Sequence, residues 1–64
     1  MSQIYRAGST PDGYEGMIKA ATASEARAYM ADRFERPRRS ITCRKATEAE
    51  IQDWRAEGLR IIND

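Results

Sequence analysis

The stretch Thr22-Ala23-Ser24-Glu25-Ala26-Arg27-Ala28-Tyr29-Met30-Ala31-Asp32-Arg33-Phe34-Glu35 decides how this chain folds. Its head, Thr-x-x-Glu, is a capping box: the Thr22 hydroxyl and the Glu25 carboxylate satisfy free backbone donors reciprocally at a helix start. Behind it, Ala23, Ala26, Met30 and Phe34 share one helical face, while Glu25, Asp32 and Glu35 lie opposite. Pro37 disfavours helical backbone at Arg36, so the helix is expected over 23–35.

Working outward from this helix, the segments before it read as a hairpin. Gln3 to Ala7 alternates, with Ile4 and Tyr5, and predicts a first strand. Gly8-Ser9-Thr10-Pro11-Asp12-Gly13 is dense in turn residues, and Tyr14 to Ala21 predicts a second strand with Tyr14, Ile18 and Ala20 on one face. Tyr5 and Tyr14 are expected to pair across these strands.

After the helix, Arg38 to Lys45 predicts a third strand around Ile41, Thr42 and Cys43, which places Cys43 on the Ile41 face as a buried, inert thiol. Thr47-Glu48-Ala49-Glu50 is a second capping box, opening a helix over 48–57 with Ile51, Trp54 and Gly58 inward and Gly58 suited to the position after the cap. Leu59 to Asn63 predicts a closing strand. The order is ββαβαβ, and the expected fold is a single α+β domain over residues 1–64, a sheet of three or four strands with two helices packed on it.

Size and composition narrow the function. The chain has 64 residues, 41% hydrophobic and 33% charged. At this length roughly 60% of the unfolded surface is buried, so the core is thin. Cys43 is the only cysteine, no intramolecular disulfide can form, and the longest apolar run, Ala28-Tyr29-Met30-Ala31, is far too short for a signal or a membrane span. The expectation is a cytoplasmic monomer that does not engage membranes.

With no histidine, the commonest general base and metal ligand is missing. Glu48 and Glu50, two apart on a helix, do not face each other and make a poor carboxylate pair. No phosphate loop, zinc spacing or nucleophile elbow is present. An enzyme is not expected, nor are catalytic residues, metal or cofactor.

Charge is distributed unevenly. Residues 1–26, 27–45 and 46–64 carry net charges of −1, +5 and −3, within a chain total of +1. Such segregation steers charged partners rather than shaping the fold. Two surfaces follow from it. Glu50, Asp53 and Glu57 fall within an arc of about 60° on the second helix, beside the edge of Trp54. Like charges at those spacings do not support a helix, so these four residues are the expected partner-binding surface, suited to a protein with a basic, nucleic-acid-binding face. Arg36, Arg38 and Arg39 flank Pro37, with Arg33 one helical turn earlier, and form a secondary basic patch. Without an aromatic platform beside it, direct nucleic-acid binding is expected to be weak.

A small, cysteine-poor, Arg-rich chain with charge poles and no catalytic set is similar to the phage-encoded anti-CRISPR proteins that inhibit type I systems. The run Arg44-Lys45-Ala46-Thr47-Glu48-Ala49-Glu50-Ile51-Gln52-Asp53-Trp54 also resembles strand-to-helix segments of short phage proteins. The likeness is one of overall make-up across the whole chain, and that group has no shared signature, so no residue role is carried over. The resemblance implies a stoichiometric inhibitor in the host bacterial cytoplasm, binding a subunit of a type I effector (Cascade) and blocking target-DNA binding or nuclease recruitment. The alternatives are a small nucleic-acid-binding module using the arginine loop, and an accessory or structural phage protein.

Overall fold

A computed structural model of the chain describes residues 2–9 and 13–64. The elements follow the order β1 (Gln3–Ser9), β2 (Tyr14–Ala20), α1 (Ala23–Phe34), a 3-10 turn (Arg38–Ser40), β3 (Ile41–Lys45) and α2 (Glu48–Ala56). The strands form one antiparallel sheet in the order β2-β1-β3, so the fold is α+β with two helices on a three-stranded sheet.

Alternation splits the sheet into two faces. Tyr5 and Ala7 of β1, Ile18 and Ala20 of β2, and Ile41 of β3 point one way and meet Ala26, Met30 and Ala31 of α1, with Phe34 and Cys43 packed alongside. Gly16 leaves the space that Met30 fills, since a Cβ there would stand 2.5 Å from the Met30 Cε. The opposite face carries Ile4 and Met17, and α2 covers this end of it through Ile51 and Trp54, together with Ala46 and Ile61. No residue of α2 is fully buried, so this second layer is thinner than the first.

Both helices start where their caps predict. The Thr22 hydroxyl accepts from the Glu25 N–H at 3.1 Å. In α2 the box is reciprocal: Thr47 Oγ1 accepts from the Glu50 N–H, and Glu50 Oε1 accepts from the Thr47 N–H. Gly58, at φ 77°, ends α2 with its N–H on the Arg55 carbonyl and the Leu59 N–H on the Trp54 carbonyl. In α1 the same left-handed role falls to Glu35, at φ 56°.

Several expectations need correction. Ala23 is exposed and Ala31 buried in its place. The first strand runs to Ser9, because Gly8 and Ser9 have partners on both sides in Glu15 and Thr42, and in Tyr14 and Ile41. Of the expected turn, Thr10, Pro11 and Asp12 lie outside the described residues. Tyr5 and Tyr14 do not pair: Tyr5 stands opposite Ile18, and Tyr14 opposite Ser9, where its ring packs on Phe34 at 5.4 Å. Residues 38–40 form a 3-10 turn rather than strand, with the Ser40 N–H donating to the Pro37 carbonyl at 2.9 Å. Cys43 is half-buried, and desolvation pushes its thiol pKa up against a smaller opposing effect of Arg27.

The closing strand is reduced to a single parallel bridge, Ile62 beside Ile18. The Ile62 N–H donates to the Met17 carbonyl, and the Lys19 N–H donates to the Ile62 carbonyl. Continued one rung upstream, the ladder would place the Arg60 carbonyl on the Met17 N–H. That carbonyl instead accepts from the Trp54 indole N–H at 2.8 Å. Downstream, Asn63 adopts φ 63° and the Asp64 N–H turns back to the Ile61 carbonyl.

Candidate protein-binding site

The four residues of the expected acidic surface do not share one role. Glu50 faces back over the sheet. Its Oε2 accepts from Arg6 Nη1 at 2.9 Å and from Arg44 Nη2, and its Oε1 accepts from Arg44 Nη1 at 2.6 Å and from the Thr47 N–H at 3.0 Å. Arg6 also donates through Nη2 to both Glu15 oxygens at 3.2 Å. These hydrogen bonds, that of Arg44 foremost and the Thr47 N–H next, hold the Glu50 carboxyl well below the usual carboxylate range, and Glu50 in turn raises the Arg44 pKa. Glu50 therefore joins α2 to β1 and β3, and its charge is already neutralised within the fold.

Asp53 and Glu57 are different. Both are exposed, and neither has an ion-pair partner among the described residues. With Glu15, Trp54, Leu59 and the Arg6–Glu50 pair they line a hollow of about 460 Å³. Trp54 is half-buried, its ring against the second core cluster and its N–H on the Arg60 carbonyl, so it offers an edge rather than a free face. Leu59 is 44% exposed and supplies the apolar surface here. Glu15 reaches this hollow through the antiparallel placement of β2, and Leu59 lies beside it rather than in a closing strand, neither of which local spacing indicates.

The basic patch is divided. Arg36 and Arg38 line a shallow groove with Asp32 and Glu35, and Arg36 also lies over the Tyr14 ring at 5.8 Å. Arg39 sits in the 3-10 turn, exposed. Arg33 projects elsewhere, into a groove of about 650 Å³ that also holds Arg55, Leu59 and Arg60. Arg55 is paired with Asp64 at 2.7 Å, whereas Arg33 and Arg60 have no acidic partner among the described residues. Three arginines from the ends of α1 and α2 and from the tail thus converge, a clustering that spacings of 22 and 5 residues do not announce.

Among the described residues, no group of three or more cysteine, aspartate or glutamate side chains is arranged to hold a metal, and no helix is long and apolar enough to cross a membrane. No protein-family model, curated protein or solved structure matches the chain.

Proposed function

We propose that this protein is a non-enzymatic, stoichiometric binding protein whose acidic surface at Asp53 and Glu57, flanked by Glu15 and Leu59, docks onto the basic face of a nucleic-acid-handling protein. Following the resemblance of the whole chain to anti-CRISPR proteins, the partner is a subunit of a type I CRISPR effector, and docking blocks target-DNA binding or nuclease recruitment. One observation carries the reading: Asp53 and Glu57 have no ion-pair partner among the described residues, in a fold that neutralises Glu50 with two arginines. Such acids beside an exposed leucine suit a partner rich in lysine and arginine.

The test is Asp53→Lys with Glu57→Lys, checked for fold by circular dichroism and melting. Association with a purified type I effector is then followed by biolayer interferometry, beside a CRISPR-interference assay. Steering by surface charge changes association rates by about tenfold or more, so the double variant should associate at least that much more slowly at low salt and inhibit poorly. Full inhibition and parental association by a well-folded double variant would remove the acidic surface from consideration.

A further inference from the structure

The two edges of the sheet differ. At the β2 edge the tail lies alongside through Ile62, whereas β3 has β1 on one side and no described strand on the other. The Ala46 N–H donates to the Ile4 carbonyl, so Arg44 and Thr42 exchange the next bonds with Arg6 and Gly8, and Ile41, Cys43 and Lys45 turn their main chain outward. The Ile41 N–H is taken by the Arg38 carbonyl. The Cys43 N–H and carbonyl and the Lys45 N–H bond no described residue.

This edge is accessible. Thr42, Arg44 and Lys45 are exposed, and Cys43 is half-buried. The Cys43 side chain packs on the α1 core, yet Cys43 also borders a hollow of about 380 Å³ on the opposite face with Arg6, Gly8 and Thr42, so its main chain is what reaches that hollow. Charge here has one sign. Lys45, Arg27 and Arg39 have no ion-pair partner among the described residues, and Arg27 lies close enough to act on the Cys43 thiol through its charge. A second copy paired antiparallel about Cys43 would bring Arg27 beside its own counterpart, and a lysine on an edge strand works against such self-pairing. Nucleic-acid phosphate suits the cations, but its oxygens only accept and leave the Cys43 carbonyl without a donor.

We propose that the β3 edge at Cys43–Lys45 accepts an extended acidic segment of a protein as an added strand. Its main chain exchanges bonds with Cys43 and takes up the Lys45 N–H. Residues paired with Cys43 and Lys45 carry their side chains on the α1 face, where carboxylates meet Arg27 and Lys45, while the alternate residues lie over Thr42 on the other face. Neither Cys43 nor Lys45 lines the hollow of Asp53 and Glu57, so this second surface stands independently of the acidic one.

The probe is a capped peptide, Glu-Val-Glu-Val-Glu, with Lys-Val-Lys-Val-Lys as its control, added to the full chain and followed by amide hydrogen exchange in NMR. At millimolar acidic peptide, exchange at Cys43 and Lys45 should slow, while Thr42 and Arg44, already bonded to β1, keep their rates. N-methylation of the three glutamates blocks the bonding edge of the peptide without altering the protein, and it should weaken binding about tenfold. N-methylation of the valines, whose N–H groups face away, should not. Lys45→Glu should weaken the acidic peptide about threefold and favour the lysine peptide. Unchanged exchange at Cys43 and Lys45 overturns the proposal, as does equal binding by the two methylated peptides or by the acidic and lysine peptides. Protection of these amides without peptide, with a dimer seen by light scattering, overturns it in favour of a second copy. Displacement of the peptide by single-stranded DNA that protects the same amides overturns it in favour of nucleic acid. If Asp53→Lys/Glu57→Lys leaves effector binding intact while the peptide still protects Cys43 and Lys45, the acidic-surface reading fails and the β3 site stands. The reverse pattern removes the β3 site alone.

Discussion

Replacing Trp54 with Phe tests why the closing strand stops after one rung. The substitution keeps an aromatic ring against Met17, Ala46 and Ile61 but deletes the N–H that holds the Arg60 carbonyl at 2.8 Å. Loss of that bond costs about 0.5–1.5 kcal/mol, toward the lower end because the carbonyl is solvent-accessible and water replaces the donor. The smaller ring at a half-buried site adds a packing loss of about 1 kcal/mol. A domain of this size has a total stability of about 3–10 kcal/mol, so the variant stays folded, with a melting temperature lower by about 4–8 °C for each kcal/mol. The distinguishing result is structural. Once released, the Arg60 carbonyl is free to accept the Met17 N–H and extend the parallel ladder by one rung, so Met17 exchange should slow although the protein as a whole is less stable. Thermal melting by circular dichroism and amide exchange by NMR measure the two effects separately, without relying on the fluorescence of the only tryptophan. A Trp54→Phe protein that melts with the parent and leaves Met17 exchange unaltered would refute the argument.

Two further outcomes follow from the caps and from Glu50. Thr22→Ala and Thr47→Ala should each cost about 0.5–2 kcal/mol, measured by melting, with the Thr22 change lowering the global transition because α1 covers the main core. The Thr47 change should chiefly speed amide exchange within thinly packed α2. Glu50 has a depressed pKa when folded, so its contribution is complete above the carboxylate's unfolded value and is lost as pH falls toward the folded one. Melting temperature should therefore fall with acidification below about pH 4.3, and Glu50→Gln should flatten that acid limb. An unchanged acid limb in the Gln variant would show that the Arg6–Glu50–Arg44 cluster does not govern it.

What the sequence made legible was local. Both helices declare themselves through Thr-x-x-Glu heads, whose effect is confined to four residues, and Gly58 and Pro37 mark their ends for similar short-range reasons. The hairpin and third strand follow from alternation. Whatever depends on long-range register was hidden: Gly8 and Ser9 carry turn chemistry but lie in a central strand, flanked on both sides, and tertiary pairing overrides their propensity. Residues 38–40 have strand-compatible chemistry but close a local 3-10 turn behind Pro37. The acidic surface was half legible. Helical spacing put Glu50, Asp53 and Glu57 on one arc, yet it could not reveal that Arg6 and Arg44, 44 and 6 residues from Glu50, neutralise the first of them.

Segregation of charge along the chain is consequently a poor map of charge in space. Arg44 belongs to the basic middle segment and Glu50 to the acidic end, yet their ion pair takes one charge from each pole. Arg55 and Arg60, minority cations of the acidic segment, join Arg33 of the basic one in a single groove. What remains is not one acidic and one basic pole on opposite sides of the molecule. Asp53 and Glu57, and Arg33 and Arg60, which have no ion-pair partners among the described residues, border neighbouring hollows that share Leu59. A uniformly basic surface would gain at the first hollow and be repelled at the second, and nucleic-acid phosphate would meet the opposite conflict. If the proposed docking holds, the partner's basic face at Asp53 and Glu57 must be bordered by acidic side chains for Arg33 and Arg60, a specificity that net charge, at +1 for the chain, could not supply.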